Sequence, residues 1–150
     1  MPYQTSYSQF QPAGYPGMQA DMSEWDASTK TASATIAFGA PVQRNGNGGC
    51  DPLTTGEYIG MAKAMHKVSG SVADSYEQYD NVAVVNEGCW FVTAGKAIAA
   101  GAAVNFDSAT GRWTDAAVTG TVRSTPGAEA ETAAGANGAL FIVRLRRVPS

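Results

Sequence analysis

Histidine is nearly absent from this chain: His66 is the only one in 150 residues. A multi-histidine metal site is thereby excluded, and any Ser-His-Asp or Cys-His relay would have to run through His66 alone. That residue stands beside Lys67 at the end of an apolar stretch, where a solvated loop histidine is the expected reading. Cysteine is scarce too, with Cys50 and Cys89 only, so no disulfide framework can be built and both are read as free thiols of a reducing compartment. Positive charge is also thin. Ten Lys and Arg stand against 13 Asp and Glu, a net charge of -3, and only Arg144, Arg146 and Arg147 cluster, so nucleic acid is not an expected partner. No apolar run reaches the length that crosses a bilayer, and the first cation is Lys30, so neither a membrane segment nor a secretory leader is expected.

Motifs for chemistry are equally sparse. In "GCWFVTAGKA", six residues separate Gly88 from Gly95 where a phosphate loop needs four, and Ala97 occupies the place of the magnesium-binding hydroxyl. "GNGGCD" offers only Asp51 as a charged calcium ligand and has no tandem copy. Asp74, Glu77 and Asp80 share a loop, but glycoside chemistry requires a fixed carboxylate separation that nothing in the sequence sets. The reading therefore expects no catalytic residue, no cofactor and no metal. Trp90 and Trp113 could stack on sugars, which keeps a carbohydrate-binding β module as the alternative. Each lies in a strand pattern, however, where packing is the commoner role.

What the chain does have is an unusual beginning. "MPYQTSYSQFQPAGYPGMQADMSEW" sets Tyr3, Tyr7, Phe10 and Tyr15 among Gln, Ser, Pro and Gly, and closes on Trp25. No helical or alternating apolar face appears, so residues 1–30 read as an extended arm and 31–150 as a β-rich core domain. An arm of about 25 residues spans up to roughly 80 Å at about 3.3 Å each. Its rings have little conformational freedom and suit grooves on a partner.

The rest alternates with period two. "ATIAFGAPV" predicts a strand over about 33–43 with Ile36, Phe38 and Val42 inward, and "QRNGNGGCDPLTTG" a loop outside the core. "EYIGMAKAM" predicts a second strand, followed by a polar loop through Asn81. "VAVVNEGCWFVTA" reads as a hairpin turning at Gly88, and "GAAVNFDSATGRWTD" as another, held by Asp107 and closed by Gly111. "TPGAEAETAAGANG" reads as a small-residue loop with room for one helical turn, and "ALFIVRLRR" as a final strand buried on both faces. With no amphipathic helix, the fold class is all-β: a small barrel or sandwich of short antiparallel strands with an extended N-terminal arm.

In order, the aromatic arm, "FGAPV", a Gly-rich loop, "GEYIGMA", "YDNVAVVNEGCWFV", "AGKAIAAGAAVNFDSATGRW" and a short last strand resemble the capsid cement, or decoration, proteins of tailed bacteriophages. The likeness is densest from Tyr79 to Gly111. One departure is Asp80-Asn81, where a Gly-Asp turn would be expected before the strand. The resemblance implies a structural virion protein without catalysis, made in the host cytoplasm and carried in the capsid. It further implies that the protein binds and locks neighbouring major capsid protein subunits, and that it associates with itself as a homotrimer or, failing that, a dimer. On that basis Tyr3, Tyr7, Phe10, Tyr15 and Trp25 are the expected capsid contacts, and Trp113, Leu140 and Ile142 the expected self-association residues.

Overall fold

The computed structural model describes residues 14–65 and 73–148. Twelve strands follow one another: β1 (Asp26–Ala32), β2 (Ile36–Ala37), β3 (Pro41–Asn45), β4 (Gly49–Pro52), β5 (Tyr58–Ala62) and β6 (Ser75–Tyr76), then β7 (Asn81–Thr93), β8 (Asn105–Asp107), β9 (Arg112–Thr114), β10 (Val122–Arg123), β11 (Ala128–Ala130) and β12 (Leu140–Leu145). No helix forms among the described residues. Neighbouring strands run β1-β4-β3-β5-β7, and β7 returns to β1, so five strands close a barrel. Closure leaves those strands no free edge. The barrel is mixed, not purely antiparallel: β1 and β4 run parallel, with Thr31 opposite Gly49 and Ala32 opposite Cys50.

The longest strand organises everything else. The expected hairpin at Asn86-Glu87-Gly88 does not form; β7 runs through it for 13 residues. Opposite it, Asp26 pairs with Glu87 but Ala27 already pairs with Val85, so Asn86 is the extra residue of a β-bulge. A bulge shifts the alternation by one and bends the strand. Before it, Val82 and Val84 pack inside the barrel with Ile36, Phe38, Val42, Cys50 and Tyr76. Beyond it, Trp90 and Val92 join Val85 in a second core with Phe106, Trp113, Phe141, Val143 and Leu145. One strand thereby serves two cores.

The second core is covered by a sheet extension and a small sheet. β12 pairs with the far half of β7, Leu140 to Leu145 against Thr93 to Gly88, and β11 adds beyond it. The last strand is central as expected, but only one face is fully buried, the face carrying Phe141, Val143 and Leu145. β11 itself corrects the helical-turn expectation, because Ala128 and Ala130 are small enough to sit buried against β12. β8 and β9 form the expected hairpin: Phe106 faces Trp113, the Asp107 carboxylate accepts from the Ala109 N–H at 3.0 Å, and Gly111 closes the turn at φ 69°.

Two further boundaries differ from expectation. The strand expected over 33–43 is broken into β2 and β3 by a turn in which the Ala40 N–H donates to the Ala37 carbonyl, although Ile36, Phe38 and Val42 are buried as expected. "QRNGNGGCDPLTTG" builds the core where a loop was expected, since its Gly and Asn residues form the tight turn between β3 and β4 and bring Cys50 wholly inside.

Candidate functional site

The arm is shorter than its sequence indicates. Residues 26–30, expected within it, belong to β1, which pairs with Asn81–Glu87 of β7. "DASTKTA" shows no apolar alternation because most of β1 faces solvent and only Ala32 is buried. Residues 17–20 lie against the far half of β7. The Gly17 and Ala20 N–H groups donate to the Phe91 and Cys89 carbonyls at 2.8 and 2.9 Å, and the Phe91 N–H donates to the Met18 carbonyl at 2.9 Å. Just before this contact the chain reverses. The Met18 N–H donates to the Tyr15 carbonyl at 3.0 Å across Pro16 and Gly17, with Gly17 at φ 83°. Proline second and glycine third are the residues a type II turn demands.

This strap presents apolar side chains to solvent. Tyr15 is 37% exposed, Trp25 44% and Met22 97%. Trp25 is held firmly nonetheless: its ring stands edge-on to Trp90 with centroids 5.9 Å apart, and the Lys63 ammonium lies 4.9 Å over its face. Below the strap, Cys89 is buried, and loss of hydration pushes its thiol pKa up. The Asp21 carboxyl is lowered, chiefly by hydrogen bonds from Ser23, whose N–H lies 2.9 Å away. Tyr3, Tyr7 and Phe10 lie outside the described residues, as does His66.

The other expected residues divide. Leu140 and Ile142 are half-buried on the outer face of β12, opposite Thr93 and Phe91. Trp113 is 1% exposed and belongs to the core: its indole N–H donates to the Gly39 carbonyl at 2.9 Å, and its ring packs edge-on to Phe106. A ring so enclosed has no face for a second copy. The same burial disposes of the sugar-stacking alternative, because Trp90 is likewise 0% exposed. Arg144, Arg146 and Arg147 each meet a carboxylate, Glu131, Glu129 and Asp26 respectively, as a solvated strand end would. Among the described residues no group of three potential metal ligands gathers.

One exposed ring escaped the sequence reading. Tyr79 is 78% exposed and adopts φ 72°, in a turn where the Asp80 carboxylate accepts from the Glu77 N–H at 2.8 Å. The nearest sequence signal was the departure one residue on, at Asp80-Asn81, where a Gly-Asp turn was expected. A tyrosine takes the left-handed conformation that glycine would adopt freely, and such strain tends to be kept where a side chain has work to do.

Comparison with known proteins agrees with this architecture. Residues 3–146 match the family model described as structural cement protein (E217 gp24/Pam3 gp6). The fold is also similar to a chain in the structure of the capsid of Myoviridae phage XM1, with a TM-score of 0.71 and 20% identity over 98% of this chain and 99% of that one. None of the curated proteins compared with it matches. A helix-free β-fold among the described residues, matched by the cement family over nearly the whole chain, leads to one conclusion: the chain belongs to the phage structural cement proteins and is a non-enzymatic component of the virion capsid.

Proposed function

We propose that the protein stabilises the capsid by bridging neighbouring major capsid protein subunits through its arm, with Tyr3, Tyr7, Tyr15 and Trp25 as contacts. The observation that carries this is the partial exposure of Tyr15 and Trp25 on either side of residues 17–20, whose backbone is fixed to β7. A side chain ordered before binding loses little entropy when it binds. With 44% of its surface open, Trp25 offers ~110 Å² of a side chain of about 250 Å², worth ~3 kcal/mol if wholly covered. A ligand that binds only the assembled lattice shifts the equilibrium toward that lattice, and joining copies multiplies the effect through effective concentration. The joined copies form a homotrimer, with a dimer as the second choice, and meet through Leu140 and Ile142.

The test is occupancy of undecorated capsids, read by sedimentation. Deletion must stop before Gly14, because residues 17–20 hydrogen-bond to β7 and their loss would damage the core as well as the arm. Removing residues 1–13, and separately Trp25→Ala, is expected to leave a folded protein that no longer fills the capsid. Full occupancy by both variants rejects the arm's role. Ile142→Lys is expected to yield monomers in analytical ultracentrifugation, and an unchanged oligomer would remove this face from the interface.

A further inference from the structure

Beside the strap a groove of roughly 640 Å³ opens between the Ala37–Ala40 link, the segment after Ala73 and the β9 end of the small hairpin. Ala37, Phe38, Gly39, Ala73 and Trp113 give it an apolar side, and Asp74, Ser75 and Arg112 a polar one. Gly14, Tyr15 and Pro16 form part of its wall, so the first described residue lies at the groove. From this placement we infer that the groove is the seat of Phe10 of the same chain, which anchors the arm to the body and leaves Tyr3 and Tyr7 beyond the anchor as its capsid-reaching part.

Three physical points select that occupant. Phe10 is four residues from Gly14, so its Cα lies within about 14 Å of the groove wall. A tethered side chain competes at a high effective concentration, and Pro12 between the two lowers the entropy lost on seating. The segment carries three rings, and Phe10 alone has no hydroxyl. The apolar stretch of the lining, Phe38 and Trp113, matches its bare ring, and because Asp74, Ser75 and Arg112 also line the groove, nearness to Gly14, four residues against seven for Tyr7, decides between them. At Gly14 itself, a Cβ would stand 2.5 Å from the Phe91 ring, so the backbone enters pressed flat on β7 and its path is narrowly set.

Trp113 supplies the reporter, since its indole N–H binds the carbonyl of Gly39 in the groove wall and the chain has three tryptophans to resolve. In ¹H–¹⁵N spectra of the free full-length protein, Phe10→Ala and removal of residues 1–13 are both expected to move the Trp113 indole and the Gly39 and Gly111 amides. The Leu145 amide on β12, away from the groove, should stay still. A peptide of residues 1–13 added to the truncated protein should return those signals, and its Phe10→Ala form should not. Unmoved groove signals in Phe10→Ala overturn the inference. Signals that relax toward those of the variant on dilution also overturn it, because they assign the seat to a second copy. Capsid occupancy is not the readout, so the groove and the capsid contacts fail independently.

Discussion

Gly60→Ala tests how the barrel is closed. Gly60 sits in β5 at φ 149°, and a Cβ there would meet the Val85 carbonyl oxygen at 2.5 Å and Val84 Cγ1 at 2.7 Å. β5 and β7 are joined through only two facing pairs, Met61 with Val85 and Ala62 with Val84, so the intruding methyl falls on the seam itself. The unfavourable backbone costs ~1–3 kcal/mol. Pushing β5 away from the carbonyl adds ~1–3 kcal/mol, typical of an overfilled core. Together they come to ~2–6 kcal/mol, a fall in Tm of roughly 4–24 °C at about 2–4 °C per kcal/mol for a domain of this size. Gly46→Ala is the control, because Gly46 has φ 64° but nothing within 4 Å of the new methyl, leaving only a backbone cost of ~1–2 kcal/mol. Calorimetry on the two variants separates strain from contact. Equal Tm losses, within ~2 °C, would refute the claim that the β5–β7 seam has no room for a side chain.

Other outcomes follow from particular side chains. Trp113→Phe removes the indole N–H from the buried Gly39 carbonyl and shrinks the second core, so chemical denaturation is expected to show a loss of ~2–4 kcal/mol. Tyr79→Asn places a residue that tolerates positive φ in the strained turn; the unfolding free energy should rise by up to ~1 kcal/mol while capsid occupancy falls, and unchanged occupancy would remove Tyr79 from the contact surface. Burial, reinforced by the Asp51 carboxylate, pushes the Cys50 thiol up to about 11 from an ordinary 9.0. Its contribution to stability is therefore complete below pH 9 and declines as pH rises to 11, at up to ~1.4 kcal/mol per pH unit. Cys50→Ala should flatten that decline, and an unaltered slope would show that another group governs it.

Legibility in the sequence followed the range of the interactions. The β8–β9 hairpin was readable because Asp107 and Gly111 make their turn within a few residues. Asn86-Glu87-Gly88 carries the same local vocabulary, yet its conformation is set by β1, β5 and β12, which come from distant parts of the chain and keep β7 paired through a bulge instead of letting it turn back. β1 was invisible for a related reason. A strand whose outer face is all polar and whose inner contribution is one alanine has no periodicity to detect, and its parallel pairing with β4 depends on the barrel being complete. Of the candidate site, the exposed rings Tyr15 and Trp25 were legible. The point at which the arm stops being an arm was not, because hydrogen bonds from residues 17–20 to β7 are made by backbone and leave no mark on side-chain pattern.

The antiparallel run of residues 17–20 and then β1 along β7 also fixes how the molecule bears load. A lengthwise tug on the front of the chain meets those interstrand bonds in shear, so many must yield together instead of unzipping singly. On the proposed reading, in which the front of the chain grips a shell, outward tension on that shell would load the grip in the direction it resists best.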